Sequence, residues 1–230
     1  MTRIDSYEDL ADNIVGWLKD YYWMHNVKAF VVGVSGGIDS AVVSSLCART
    51  GLPTYVVCMP LESKFENTKL SDAHSRALVE KYDNVKRIEV ELFSAYDSLI
   101  KSIEWWSEAQ HFDRKEFTSS DHAKANTKSR MRMVTLYQIA GSVGGIVVGT
   151  GNKVEDYGVG FYTKYGDGGV DIAPIADLYK TEVWELGEYL EVDQRIVDAD
   201  PTDGLWIDSR SDEEQLGASY AELELSLIHI

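Results

Sequence analysis

The sequence predicts an α/β fold, a doubly wound parallel sheet with helices on both faces. Nearly continuous β-branched and aromatic runs at residues 27–34 and 55–59, with a shorter one at 146–148, are typical of strands buried on both sides. Segments with apolar residues spaced three and four apart lie between these runs, and such alternation favours a parallel sheet. With 230 residues and no internal repeat, we expect one domain over residues 1–230.

The elements follow in order along the chain. Apolar spacing at Tyr7, Leu10, Ile14, Leu18 and Tyr21 predicts a first amphipathic helix. Further helices are predicted at 39–49, 70–82, 96–106, 123–141 and 183–190, and a third strand from the alternation of Ile88, Val90 and Leu92. Polar residues 107–120 and glycine-rich residues 158–169 predict loops, and the acidic tail from residue 193 predicts short helices.

Charge is unevenly distributed in this chain, whose net charge is −16. Residues 122–154 contain no acid but five bases, Lys124, Lys128, Arg130, Arg132 and Lys153, whereas residues 181–230 contain 14 acids against Arg195 and Arg210. The overall charge argues against nucleic-acid or membrane-surface partners. The basic stretch indicates a local anionic ligand, although an ordinary solvated helix face would look the same.

The lack of an apolar targeting segment and the positions of the cysteines predict a cytoplasmic protein. No stretch approaches about 20 apolar residues, so we expect no membrane span. The first ten residues lack the apolar centre of a signal peptide. Cys47 and Cys58 lie within apolar runs, where buried thiols in a reducing compartment are the expected interpretation.

The sharpest local motif is GVSGGIDS at residues 33–40, between the first predicted strand and the helix after it. Small residues allow a close backbone approach, and a helix start offers unpaired N–H groups to an anion. The hydroxyls of Ser35 and Ser40 add donors, so we expect a phosphate-binding loop; a turn without a ligand is the alternative. Asp39 suits Mg²⁺, or it is simply an acid at a helix N-terminus.

Other readings of this loop fit less well. A Walker A loop needs a Gly-Lys-Ser/Thr ending, and the dinucleotide fingerprint needs a G-x-G-x-x-G spacing, both absent here. The nucleophile elbow G-x-S-x-G matches at Gly33, Ser35 and Gly37, but that elbow normally follows several strands, and an HGGG-type companion is missing.

A second block, GTGNKVE at residues 149–155, directly follows the fourth predicted strand. If the strand order reverses between the first and fourth strands, both loops share one cleft at a switch point. Thr150 would then contact a nucleotide and Glu155 would be a second Mg²⁺ carboxylate, whereas the block by itself reads as a plain turn.

These motifs together resemble a known family. The SGGxDS loop is similar to that of ATP pyrophosphatases, a loop also found in GMP synthetase and tRNA-thiolation enzymes. GTGNKVE, FYTKYGDGGVDI, the ANTKSRMRM run at 125–133 and PTDGLW at 201–206 occur in this order in NAD⁺ synthetases, so most of residues 10–225 resembles that family.

The resemblance implies a Rossmann-like fold of the adenine nucleotide alpha hydrolase type and the amidation of deamido-NAD⁺. ATP would adenylate the nicotinate carboxylate, ammonia would displace AMP, and pyrophosphate would be released. It further implies catalytic roles for Asp39 and Lys180 and Mg²⁺ ligands at Asp39 and Glu155. Deamido-NAD⁺ would contact Arg130, Lys164 and Asp171, with Arg132 as an alternative to Arg130. The implied ATP contacts are Gly33, Val34, Ser35, Gly36, Gly37, Ile38, Asp39, Ser40, Thr150, Lys180 and Thr202.

The resemblance also implies a homodimer and free or delivered ammonia, because no glutamine-amidase domain precedes the loop. Trp105, Trp106 and Tyr137 are candidate interface residues, although burial in the core explains each alone. The end from about residue 226 departs from the family and predicts a truncated or foreign C-terminus. A pyrophosphatase for another acceptor and a non-catalytic nucleotide-binding fragment stay as alternatives.

Overall fold

The computed structural model describes residues 3–62, 65–202, 204–205 and 211–229. Within these residues four strands form one parallel sheet in the order β3-β2-β1-β4. The strands are β1 (Phe30–Gly33), β2 (Thr54–Cys58), β3 (Val85–Glu89) and β4 (Ile146–Val148). The chain winds outward from β1 to β3 and then returns to the other side of β1, so the order reverses between β1 and β4, as a doubly wound sheet requires.

Nine α-helices and one π-helix accompany the sheet in the described part of the chain. They are α1 (Tyr7–Met24), α2 (Ile38–Arg49), α3 (Phe65–Lys81), α4 (Phe93–Ala109), α5 (Asp121–Val143), the π-helix (Val154–Val159), α6 (Lys180–Tyr189), α7 (Gln194–Val197), α8 (Asp212–Leu216) and α9 (Tyr220–His229). No helix among the described residues is both long and apolar enough to cross a membrane.

Alternate side chains of the central strand β1 pack into different apolar layers. Phe30 and Val32 lie in the core shared with α1, α2 and α6, whereas Val31 packs on the opposite face with residues of α4 and α5. All three are fully buried. This arrangement follows from the two-residue repeat of a strand and confirms the predicted fold class, because both faces of the sheet are covered.

The third strand lies earlier in the chain than the sequence predicts. Alternation placed it on Ile88, Val90 and Leu92, whereas β3 is Val85–Glu89 and pairs with β2 from Thr54↔Val85 to Cys58↔Glu89. The N–H groups of Val90 and Leu92 still donate to the carbonyl oxygens of Cys58 and Pro60, at 2.9 and 3.1 Å. Pro60 has no N–H to donate in return, so the regular ladder does not continue. Leu92 is buried, but it lies beyond the strand.

The glycine-rich stretch after β4 contains an element that the sequence did not predict. Residues Val154–Val159 form a π-helix, which ends at Gly160 with a φ of 68°. The Asn152 Oδ1 accepts hydrogen bonds from the N–H groups of Val154 and Glu155, both at 3.1 Å, and so caps its start. π-Helical turns are frequent at functional sites, and this one carries Glu155.

Candidate active site

Glycines allow the backbone conformation of the loop between β1 and α2, and serine hydroxyls stabilise that conformation by hydrogen bonds. Gly36 has a φ of +94°, and a Cβ there would lie 2.4 Å from the Asn67 carbonyl oxygen on α3. The Ser40 Oγ accepts from the Ser35 N–H at 3.2 Å, and the Ser35 Oγ accepts from the Gly37 N–H at 3.2 Å. The backbone of the loop is therefore preshaped by its own hydroxyls.

The start of α2 suits an anion. Its N-cap is Gly37, and among the described residues no side chain caps it. The first N–H groups of the helix are therefore available to a ligand, and the helix dipole adds favourable positive potential there. This geometry supports the predicted phosphate loop.

The loops after β1 and β4 meet, as the switch-point argument predicts. The fully buried Asn152 donates a hydrogen bond from Nδ2 to Asp39 Oδ1 at 3.0 Å, across 113 residues of sequence. Because β4 pairs directly with β1, the two loops leave the same edge of the sheet side by side.

Lys180, at the first position of α6, joins the two predicted metal carboxylates. Its Nζ lies 2.5 Å from Asp39 Oδ2 and 2.9 Å from Glu155 Oε1. The Lys180 side chain is 3% exposed, and those of Asp39 and Glu155 are 17% and 16% exposed. One buried ammonium group is thus enclosed by two carboxylates, which together form a site for positive charge.

The pKa values of the three groups are strongly linked. Burial raises the pKa of Asp39, and the nearby Glu155 charge adds to this, although Lys180 opposes it. The pKa of Glu155 is lowered: burial acts to raise it, but Lys180 and the Tyr220 hydroxyl outweigh burial. Burial acts to lower the pKa of Lys180, yet its two carboxylate partners raise it, so we assign it as protonated.

A second layer behind this cluster was not predicted. The Tyr220 hydroxyl donates to Glu155 Oε1 at 2.7 Å, and the Tyr220 ring lies 5.0 Å from Lys180 Nζ. Glu224, also on α9, accepts hydrogen bonds from the Thr181 N–H at 3.0 Å and the Thr181 Oγ1 at 2.8 Å. Tyr220 and Glu224 carried no local motif signal, whereas Asn152 lies within the GTGNKVE block without having been assigned a role. The roles of all three appear only when distant segments pack together.

A cavity of about 840 Å³ opens beside the loop. It is lined by all the residues for which the resemblance implies contact with ATP or metal, namely Gly33, Val34, Ser35, Gly36, Gly37, Ile38, Asp39, Ser40, Thr150, Glu155, Lys180 and Thr202. Its walls also include Met59 and Pro60 at the end of β2 and Met133 and Leu136 on α5. The volume suits a small-molecule ligand with charged and apolar parts.

The three residues assigned to deamido-NAD⁺ lie elsewhere. Arg130 and Lys164 are exposed, outside the cavity lining, and the Arg130 Nε donates to the Lys164 carbonyl oxygen at 3.0 Å. Arg132 does line the cavity, and it lies near the carbonyl oxygens of Met59 and Leu61. The structure thus brings Arg132, rather than Arg130, to the cavity wall.

Asp171 supports the edge of the sheet. Its Oδ2 accepts from the Val147 N–H in β4 at 2.8 Å, and its Oδ1 accepts from the Tyr137 hydroxyl at 3.0 Å. Burial and this carboxylate raise the pKa of Tyr137 to about 12. Asp171 therefore fixes β4 to α5, and it is not part of the cavity lining.

Known proteins share this chain's sequence and fold. A family model described as NAD synthase matches residues 10–229. An NH₃-dependent NAD⁺ synthetase of Alkaliphilus metalliredigens is 36% identical over 215 residues, which cover 93% of this chain and 83% of that protein.

Two solved structures are also similar. An NMN synthetase from Francisella tularensis has a TM-score of 0.85 and 32% identity, covering 98% of this chain and 87% of its own. An NH₃-dependent NAD synthetase from Campylobacter jejuni has a TM-score of 0.71 and 26% identity, and the match covers 84% of this chain and 76% of that chain. From the family match along nearly its whole length, we conclude that the chain belongs to the NAD synthase family.

Proposed function

We propose that this protein is a ligase that forms a C–N bond, converting deamido-NAD⁺ to NAD⁺ with ammonia and ATP. The observation that carries the proposal is the Asp39–Lys180–Glu155 cluster, which lies beside a preshaped phosphate loop in a chain of this family. The cavity joins these groups in one space. An ATP pyrophosphatase with another acceptor would share the loop but not the match over residues 10–229.

In the first step, a carboxylate oxygen of the acceptor attacks the α-phosphorus of ATP. The bond between this phosphorus and the bridging oxygen breaks, and pyrophosphate leaves with the electron pair. The N–H groups at the start of α2 and the Lys180 ammonium group stabilise the charge that develops on the leaving group. Thr150 and Thr202, at the cavity wall, would contact the rest of ATP.

Asp39 and Glu155 fit a Mg²⁺ ion. Two carboxylates with nucleotide phosphates and water are a usual donor set for this ion, and they already enclose a cation, the Lys180 ammonium group. When bound, Mg²⁺ would offset phosphate charge. Among the described residues, no group of three or more His, Cys, Asp or Glu side chains suited to a metal occurs.

In the second step, the lone pair of ammonia attacks the acyl carbon of the adenylate, AMP leaves and the nitrogen loses a proton. Since ammonia itself is the nucleophile, this chain needs to supply no serine or cysteine for the chemistry. Exclusion of water matters here, because water competes with ammonia for the acyl-adenylate. The buried Asp39–Lys180–Glu155 cluster is part of the cavity lining.

For the acceptor, we propose contacts from Arg130, Lys164 and Asp171, with Arg132 as an alternative to Arg130. Arg130 and Lys164 lie together on the surface, joined by the hydrogen bond between Arg130 Nε and the Lys164 carbonyl oxygen. Both side chains are positively charged, which suits the phosphates of a dinucleotide.

A mononucleotide acceptor is a second candidate. The Francisella structure of an NMN synthetase overlays 98% of this chain with a TM-score of 0.85. An acceptor without the adenylate half would present the same pyridine carboxylate to the cavity. Comparing kcat/KM for deamido-NAD⁺ and nicotinate mononucleotide separates the two candidates, and the larger value identifies the acceptor.

We further propose a homodimer that works in the cytoplasm. Trp105, Trp106 and Tyr137 are 61%, 57% and 40% exposed, and this exposed apolar surface supports an interface. Cys47 and Cys58 are both free and buried, as in proteins of reducing compartments. Sedimentation equilibrium at the 25.8 kDa monomer mass would contradict the dimer.

The function is tested by incubation with ATP, Mg²⁺, ammonium and the acceptor, followed by mass spectrometry. We expect equal amounts of AMP, pyrophosphate and the amidated nucleotide. Asp39→Asn and Glu155→Gln should each lower kcat by at least about 10²-fold, or about 2.7 kcal/mol. Amidated product that forms without ATP, or near-normal rates in both variants at saturating Mg²⁺, would contradict the proposal.

A further inference from the structure

We propose that Tyr220, on the C-terminal helix α9, is a positioning residue of this active site, one that sets the geometry of Glu155 and Lys180. The inference rests on the proposed function, since it concerns the carboxylate assigned to the metal. It extends the active site to a helix that carries no recognised nucleotide-binding motif.

Tyr220 makes two different contacts with the cluster. Its side chain is 1% exposed, its hydroxyl donates to Glu155 Oε1 at 2.7 Å, and its ring lies 5.0 Å from Lys180 Nζ. The Asp212 carboxylate is farther from the hydroxyl, at 3.4 Å. A phenol has one proton to donate, so the shorter contact places it on Glu155.

The two contacts converge on the same oxygen of Glu155. Lys180 and Tyr220 both bind Oε1, so neither occupies Oε2. The last torsion of this carboxylate has a broad, roughly two-fold potential, and both contacts restrain it. Without the hydroxyl, only the Lys180 contact of these two remains. The Tyr220 hydroxyl thus supports the orientation of the carboxylate of Glu155, a residue that lines the cavity.

Helix α9 is itself held in place close to the cluster. Glu224, one turn after Tyr220, accepts two hydrogen bonds from Thr181, the residue after Lys180. The Trp184 ring packs edge-on against the Tyr220 ring, with 5.9 Å between centroids. Tyr220 and Glu224 therefore tie α9 to the turn of α6 that carries Lys180, and this anchoring makes the hydroxyl a rigid support.

The test compares Tyr220→Phe with Tyr22→Phe. Tyr22 is a matched control, because it is 8% exposed and donates one hydrogen bond, to the Lys28 carbonyl oxygen at 3.2 Å, away from the cavity. Binding of Mn²⁺ in the presence of a non-hydrolysable ATP analogue is measured by electron paramagnetic resonance. The steady-state dependence on Mg²⁺ and on acceptor is measured separately.

We expect Tyr220→Phe to weaken Mn²⁺ binding by about 10-fold, as partners of metal ligands commonly do, and to raise the half-saturating Mg²⁺ similarly. The KM of Tyr220→Phe for the acceptor should stay within about 2-fold of the wild-type value. The metal affinity of the control variant Tyr22→Phe should also stay within about 2-fold of wild type. Equal metal affinities in Tyr220→Phe and wild type would overturn the inference. An inactive wild type that still binds Mn²⁺ would contradict only the proposed function, since the binding comparison decides the role of Tyr220 by itself.

Discussion

Replacing Lys180 by methionine tests whether this lysine holds two buried carboxylates together. Methionine keeps the length and apolar stem of the side chain but removes its charge. In the wild type, Lys180 Nζ contacts Asp39 Oδ2 at 2.5 Å and Glu155 Oε1 at 2.9 Å. The variant leaves these carboxylates facing each other without the ammonium group between them.

The magnitude follows from the distances. Since both oxygens contact one nitrogen atom, at 2.5 and 2.9 Å, they lie no more than about 5.4 Å apart. At an effective dielectric constant of about 20 their repulsion is then at least about 3 kcal/mol. That agrees with the loss of about 3–5 kcal/mol usual when one partner of a buried ion pair is removed. We expect the free energy of unfolding to fall by about 3 kcal/mol at pH 7.

The deficit should depend on pH. The pKa of Asp39 is already raised in the wild type, and Lys180 opposes this shift. Lys180→Met removes that opposition and raises the pKa further, so above pH about 4 the folded variant binds more protons than either its unfolded state or the folded wild type. Its stability therefore falls as pH rises toward 7, and the difference from wild type should be smaller at pH 5.

Urea denaturation at pH 5 and pH 7 measures this difference. Lys101→Met is the control, because Lys101 forms an exposed ion pair with Asp97 at 2.6 Å, and such pairs contribute at most about 1 kcal/mol. The reasoning would be refuted if Lys180→Met had the same free energy of unfolding as the wild type at pH 7. It would also be refuted if the variant lost the same free energy of unfolding at pH 5 as at pH 7.

Three further predictions concern the loop, a buried histidine and the acceptor. Gly36→Ala should lower the free energy of unfolding by at least about 1 kcal/mol, because Gly36 has a positive φ and an added Cβ would lie 2.4 Å from the Asn67 carbonyl oxygen. Gly37→Ala is the control, since its Cβ would meet only the Ser35 Oγ, at 3.5 Å. Equal melting temperatures of the two variants would contradict this prediction. Burial lowers the pKa of His74 to about 4, so the unfolded state binds the proton first, and stability should fall by about 3 kcal/mol from pH 7 to pH 4. His74→Gln should remove this part of the pH dependence in denaturant titrations, and an unchanged slope would count against it. Arg130→Ala should raise KM for the acceptor more than KM for ATP, with no inhibition by duplex DNA; two unchanged KM values would assign the basic stretch another role.

Local sequence was enough to predict the first strand, the phosphate loop and α2. The β-branched run, the small residues and the helix start are adjacent in the chain, so their physical consequences are local. The switch point could also be predicted, since a fourth strand beside β1 is how such sheets reverse. The end of β3 could not, because pairing with β2 decides it.

The choice between Arg130 and Arg132 shows a different limit. Both lie on α5, and residues two apart on a helix point to nearly opposite sides. Which side faces the cavity depends on how α5 packs on the sheet, and that packing places Arg132 at the wall. The spacing of motifs along the chain contains no information on this rotation.

By itself, then, the sequence determined the strand–loop–helix unit, the residue types able to hold phosphate and the family resemblance. Only the tertiary structure decided that Lys180 neutralises Asp39 across 141 residues and Glu155 across 25. It also decided that Tyr220 and Asn152 support them. The physical reason is that a buried charge is stable only with partners within hydrogen-bond distance, and the fold brings those partners from four separate segments.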